Sequence, residues 1–405
     1  MLFDAKKKLS VLGAERLEVS DISVICALLA KHPGVSFSSG EPASELYPIK
    51  ELQEAFVEAL EEPGILDYYD SDMGYAPLRE WLAALMHEDG IAPAWVTAEH
   101  ILLTHGAAEA INDVTELLLD AGDIVAVEEA TYVEALINFR KQGAFCLGVK
   151  MDEDGIVPEA LEEACRKNKI KMLYTIPNFS NPTGRTATLE RRKAVLEVCR
   201  KYNVLILEDD PYRYLSYDGD VPASYLALAG DGGNVIYCSS FSKVIAPGVR
   251  MGWLAIPPAL TERFSTFQIC NGLIQQPFTH KAVYHYLRKN DFRTRISFLC
   301  REYGKRRDDL LAEIDSWLKP LGVHVSRPKG GFFIWGTADG IHDMMDFAKY
   351  AIEHNGVAVI PGSSFIADGV SGKNTCRFSF SKVTPEAAKE GCKRLAEAIK
   401  AYRSV

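Results

Sequence analysis

The chain has 405 residues, 47% hydrophobic and 25% charged, with a formal net charge of −10. That composition supplies ample apolar material for a core and argues against a nucleic-acid surface, which rewards clustered Lys and Arg. No apolar run reaches membrane-spanning length, no hydrophobic stretch follows the lysines at 6–8 as in a signal peptide, and nine scattered cysteines show neither a CxxC pair nor metal-ligand spacing.

The expectation is a soluble cytoplasmic protein with reduced thiols, Cys199 and Cys238 among them in the core. In chain order, short runs rich in Ile, Val and Leu fall at residues 101–103, 124–127, 172–176, 204–207, 235–238 and 253–256. They do not alternate polar with apolar, which is the pattern of strands buried on both faces. Amphipathic stretches lie between them; 189–202 puts Val195, Leu196, Cys199 and Tyr202 along one side. Strand, helix, strand repetition predicts an α/β fold with a mostly parallel sheet covered by helices.

After about residue 279 the pattern changes. A long helix is expected over 281–317, strand-like pieces at 324–326, 330–335, 357–360 and 377–380, a helix at 344–354 and a closing amphipathic helix. This predicts a smaller α+β domain. The basic cluster Arg301, Lys305, Arg306 and Arg307 is interrupted by acidic and apolar residues and is expected on one solvated helix face.

Five of the six expected strands of the first part run into a polar or glycine-containing element: 104–109, 128–132, 177–184, 208–212 and 239–243. In an open parallel sheet, ligands bind at the carboxyl ends of the strands. Singly, each element is a turn, a cap or core. Together they are expected to converge on one crevice. The segment 239–252 is the most informative. Lys243 follows a run containing Ser240 and Ser242, and Arg250 follows seven positions later beyond a Pro-Gly turn. A lysine amine forms a Schiff base with an aldehyde; serine hydroxyls and a guanidinium fork hold a phosphate. Aldehyde and phosphate on one small molecule describe pyridoxal phosphate.

These residues give the chain a resemblance to the fold-type I pyridoxal-phosphate-dependent aminotransferases of class I/II, in the branch of the α-aminoadipate and kynurenine aminotransferases. It runs from Gly40 to Arg377 and is most specific at 181–184, 208–212 and 240–252. The resemblance implies a large domain, 46–285, with a mostly parallel seven-stranded sheet flanked by helices. It also implies a small α+β domain, 286–405, and an arm over 1–45 that joins the small domain in part. Lys243 would hold pyridoxal 5′-phosphate as a Schiff base, Asp209 would pair with the pyridine nitrogen, and Asn181 and Tyr212 would bond the phenolic oxygen. Tyr132 would stack on the ring. Gly106, Ala107 and Ala108 would offer backbone N–H groups to the phosphate, completed by Ser240, Ser242 and Arg250. Arg377 would clamp the substrate α-carboxylate, with Gly40 over the substrate and Asn181 beside it. Tyr69 would reach the phosphate of a second subunit, which implies a homodimer. Ala107 and Ala108 stand where the branch commonly carries hydroxyl or amide side chains, and Ala130 where proline is frequent.

The implied reaction moves the amino group of an L-amino acid to a 2-oxo acid, 2-oxoglutarate or pyruvate, by a ping-pong route. A lyase or cyclase of the same fold, such as a C–S β-lyase or a capreomycidine-synthase-like enzyme, would use the same apparatus. A regulatory, non-catalytic relative would need a basic DNA-binding module, and residues 1–40 hold no helix-turn-helix unit with a basic face. The stretches 17–29 and 46–47 are expected to shape the side-chain pocket.

Overall fold

The computed structural model describes residues 5–67, 71–271 and 276–404. Its centre is a seven-stranded sheet of β1 (Ile101–Thr104), β2 (Ile124–Glu128), β3 (Phe145–Val149), β4 (Ile170–Thr175), β5 (Leu205–Asp209), β6 (Val235–Ser240) and β7 (Gly252–Ala255), in the order β1-β7-β6-β5-β4-β2-β3. Six strands run parallel. β7 is antiparallel to both neighbours, pairing Gly252 with Thr104 on one side and with Ser240 on the other. Strands β1 and β6 are fully buried along their length, as expected for strands covered on both faces. The edge strand β3 was not legible. Its sequence, FCLGV, is only partly covered, with Val149 alone fully buried and Phe145 66% exposed.

The helices cover this sheet through apolar stripes. In α4 (Leu189–Lys201) Val195, Leu196 and Cys199 are buried, and Thr188 caps the first turn by accepting from Arg191 N. α2 (Ala107–Leu118) and α3 (Val133–Gln142) begin directly after the ends of β1 and β2. Before the sheet, α1 (Asp21–Lys31) is capped by Ser20 and reaches Ser364 through Asp21 Oδ2.

The long helix expected over 281–317 is two helices, α5 (Pro277–Lys289) and α6 (Phe292–Trp317). Asp291 breaks the run because its carboxylate caps α6, accepting from Arg293 N and Thr294 Oγ1. On α6, Arg307 corrects the expectation of a wholly solvated basic face. It is buried, ion-paired to Asp218 and Asp308, and donates to the Pro328 carbonyl at 2.9 Å.

A four-stranded antiparallel sheet follows, with β8 (Val323–Val325), β9 (Phe333–Ala338), β10 (Ile360–Pro361) and β11 (Thr375–Ser379) in the order β8-β9-β11-β10. The stretch read as one strand at 357–360 is divided. Val357–Ala358 pairs with Val35–Ser36, while Ile360–Pro361 joins β11. That pairing draws the N-terminal segment onto the smaller sheet. The helices Met344–Asn355 and Pro385–Tyr402 cover it. All nine cysteines are free thiols, and Cys199 and Cys238 are buried. No helix among the described residues is long and apolar enough to cross a membrane.

Candidate active site

The carboxyl ends of β1, β2, β4, β5 and β6 open into one cavity of about 520 Å³. One side of it is a cradle for an anion. β1 ends at Thr104, and the chain turns through Gly106, whose φ of 95° suits glycine. Gly106 precedes α2 without any side-chain cap, so the first N–H groups of that helix are free to face a ligand. Gly252 packs against this turn so closely that a Cβ there would sit 2.7 Å from the Gly106 backbone. Arg250, itself at φ 52°, donates to the carbonyls of His105 and Pro247. Ser240 Oγ accepts from Ser242 N at 3.3 Å. Ala107, Ala108, Ser240, Ser242 and Arg250 line the cavity, and Gly106 lies behind them against the Arg250 guanidinium.

Deeper in, Asp209 closes β5 and is 2% exposed. Its Oδ2 accepts from Tyr174 at 2.7 Å, and its Oδ1 has no partner. Burial pushes the carboxyl up to about 7, against the pull of the Tyr174 bond. Lys243 stands in a single tight turn (Phe241–Lys243) at the end of β6 and donates to the Gly40 carbonyl at 2.9 Å. Burial lowers its ammonium to about 8; Glu41 opposes that shift, and Arg377 adds to it. The amine lies 5.8 Å from the Tyr212 ring centre. Tyr212 is fixed edge-on against Phe332 and Phe333, both at 5.7 Å. Tyr132, at the start of α3, faces the cavity, and burial holds its phenol well above the usual range.

Arg377, on β11, brings the smaller sheet to the site. Its guanidinium is buried, 4.4 Å from the Phe333 ring centre and 4.8 Å from that of Phe365. It donates to Asn181 Oδ1 at 2.8 Å and to the Ser38 carbonyl at 2.6 Å, while Nε has no partner. Burial lowers it to about 10. Gly40 completes the rim; a Cβ there would meet the Phe333 ring at 3.3 Å.

The geometry thus gathers Gly40, Ala107, Ala108, Tyr132, Asn181, Asp209, Tyr212, Ser240, Ser242, Lys243, Arg250 and Arg377 on one wall system. Tyr69 lies outside the described residues. Of the stretches expected to shape the pocket, α1 contributes Ile22 and Cys26, whereas Leu46 and Tyr47 are not on the wall. Sequence reasoning missed Tyr174, Ser38, Glu41 and Glu134. Tyr174 reads as core because it is in mid-strand. Glu134 carried a usable signal, since it follows Tyr132 by two positions at a helix start.

The residues fit pyridoxal phosphate. Asp209 Oδ1 is a buried acceptor that lacks a donor, as a protonated ring nitrogen would supply. The uncapped helix start, the two serines and Arg250 suit a phosphate. Lys243 offers a partly neutral amine between them.

The family model of aminotransferase class I and II matches residues 32–395. The chain is 35% identical over 393 residues to a 2-aminoadipate transaminase of Thermus thermophilus, covering 96% of each. It is 32% identical over 391 residues to aromatic-amino-acid aminotransferase 1 of Thermococcus litoralis, covering 95% of this chain and 92% of the relative. The crystal structure of LysN, an α-aminoadipate aminotransferase from Thermus thermophilus complexed with N-(5′-phosphopyridoxyl)-L-leucine, matches with a TM-score of 0.88 at 32% identity. The match spans 98% of this chain and 99% of LysN. These relatives give no support to the lyase or cyclase alternative. The chain belongs to the class I and II aminotransferases: it is a fold-type I enzyme, and its cofactor is pyridoxal 5′-phosphate.

Proposed function

We propose that the enzyme takes the amino group from an L-amino acid and passes it to 2-oxoglutarate or pyruvate in two half-reactions, as a cytoplasmic homodimer to which each Tyr69 contributes across the interface. Bound pyridoxal phosphate supplies an aldehyde that accepts the amino group and a ring that withdraws electrons from substrate Cα.

The protein's part is binding, orientation and proton transfer. The free N–H groups at 106–108, with Ser240, Ser242 and Arg250, hold the phosphate. Asp209 accepts from the ring nitrogen and keeps it protonated. Asn181 and Tyr212 bond the phenolic oxygen, and Tyr132 covers the ring face. Arg377 grips the α-carboxylate through two parallel bonds, which places Cα beside Lys243 Nζ. That amine, lowered toward neutrality, removes the Cα proton. Glycine at position 40 leaves room for the substrate to enter under residues 38–41.

The observation that carries this reading is Asp209 Oδ1, a fully buried acceptor with no donor among the described residues. A panel of amino donors, offered with 2-oxoglutarate or pyruvate to the reconstituted enzyme, tests it. Repeated formation of the matching 2-oxo acid, beyond one equivalent per bound cofactor, only when an acceptor is present supports transfer. Sustained oxo-acid release beyond one equivalent per bound cofactor, without any acceptor, would refute it. Sedimentation of the reconstituted enzyme as a monomer would remove the dimer.

A further inference from the structure

The charge inventory of the cavity carries one step further, resting on the aminotransferase reading above. Among its described wall residues the cations are Lys243, Arg250 and Arg377. Each is committed, to the cofactor aldehyde, the phosphate and the α-carboxylate in turn. Among these described wall residues of one protomer, no cation is left for a second carboxylate on the substrate.

The acids are distributed differently. Asp209 is committed to the ring nitrogen, and Glu41 is ion-paired with Lys382. Glu134 remains. It sits in the first turn of α3, two residues beyond Tyr132, and its side chain lines the cavity. No ion pair joins it to a cation among the described residues; desolvation raises its carboxyl above the ordinary value, and Arg377 and Lys243 across the cavity oppose that shift. The α3 N-terminus favours a negative charge at this position. Once a substrate is held at Arg377 with Cα by Lys243, its side chain must run along the remaining wall. That wall includes Ile22 and Cys26 of α1 together with Ser39 and Pro247, with Glu134 opposite in charge to any cation and like in charge to any carboxylate.

We propose that Glu134 is a specificity determinant that turns the enzyme against dicarboxylic substrates and toward amino acids whose side chains are neutral or positively charged. Glu134 sits at the solvent-accessible side of the cavity, and rejection by a like charge is a recognised way to separate substrates of similar size. The same repulsion favours pyruvate over 2-oxoglutarate as acceptor.

The test uses the reconstituted enzyme and two readouts. The first is equilibrium binding of glutarate and of n-valerate, equal in chain length and different by one carboxylate. The second is the ratio of kcat/KM for L-2-aminoadipate to that for L-norleucine. Wild type should bind glutarate at least about tenfold more weakly than valerate, and Glu134→Gln should close most of that gap, as expected for removing one like charge. Glu134→Ala should raise the kinetic ratio by at least about tenfold. An unchanged gap and an unchanged ratio in both variants overturn the inference while leaving the aminotransferase reading intact. Absence of transfer with every donor would remove that reading and this inference together.

Discussion

Tyr174 donates its phenolic proton to Asp209 Oδ2 at 2.7 Å, from the neighbouring strand of the large sheet and with neither group open to solvent. The bond uses one carboxylate oxygen and leaves the other aimed into the cavity. It therefore fixes which lone pairs a bound ring can find. It also lowers the carboxyl against the upward push of burial.

Tyr174→Phe should accordingly free Asp209 Oδ2 and raise the carboxyl further. An unpaired buried acceptor costs about 1–3 kcal/mol, so apoprotein stability should fall by that order in urea at pH 8. Pyridoxal phosphate affinity should drop as well, and dialysis of the reconstituted variant measures it. Unaltered stability and affinity would show that the bond is incidental.

Asp209 also sets a pH dependence of the apoprotein. Its carboxyl titrates near the ordinary value of 3.8 when unfolded and at about 7 when folded. Folding is then favoured by this group below pH 3.8, and the benefit drains away as pH rises through 7. At about 1.4 kcal/mol per unit, the loss reaches up to about 4 kcal/mol. Asp209→Asn should thus stabilise the apoprotein above pH 7 and leave it little changed near pH 4. Urea melts at pH 4, 6 and 8 give the comparison; a constant offset between the two proteins would contradict it.

Lys243 titrates at about 8 in the folded protein. Only the neutral amine attacks an aldehyde. The rate of covalent attachment of added pyridoxal phosphate should climb about tenfold per pH unit below 8 and level off above. Borohydride trapping followed by mass spectrometry reads this directly. Lys243→Ala should bind the cofactor without covalent attachment and lose transfer; full transfer by that variant would end the assignment.

Arg377→Lys keeps a positive charge but not the planar fork, and the ring faces of Phe333 and Phe365 were packed for a guanidinium. KM for amino donors should rise by about tenfold or more, with kcat affected less. Steady-state kinetics with one good donor decide the point.

Gly252→Ala would place a methyl against the Gly106 backbone, at 2.7 Å before any shift. Backbone cannot swing aside as a side-chain end can. Apoprotein stability should fall by about 1–3 kcal/mol, the usual cost of overpacking, and affinity for inorganic phosphate at the cradle should fall with it. Titration calorimetry with phosphate, set beside a thermal melt, separates the two.

The sequence made the core of the large sheet legible because buried parallel strands leave short apolar runs rich in Val, Ile and Leu, as in β5, with Met, Tyr and Cys joining them in β4 and β6. The edge strand β3 escaped because its exposed Phe145 and partly open neighbours break that signature. The α5–α6 break escaped because Asn290 and Asp291 interrupt no hydrophobic period, while Asp291 acts through a local cap. In the site, residues in short polar motifs at strand ends could be read in order. Tyr174, Ser38 and Phe365 could not, since they meet Asp209 and Arg377 only through pairing between distant strands or across the two sheets.

Strand β7, running against its neighbours, joins Thr104 and Ser240 through the same residue, Gly252. Both halves of the anion cradle are thereby bolted to sheet register, and neither can drift without unzipping a ladder. The opposite wall is tied differently: the entry to α3 is bridged to the smaller domain through Ala130 and Ile366, and α1 through Asp21 and Ser364. The cradle is thus held by sheet register and the facing wall by helix packing and links to the smaller domain. Ile22, Cys26 and Glu134 belong to that second wall, so substitutions there leave the strand ladders of the cradle untouched.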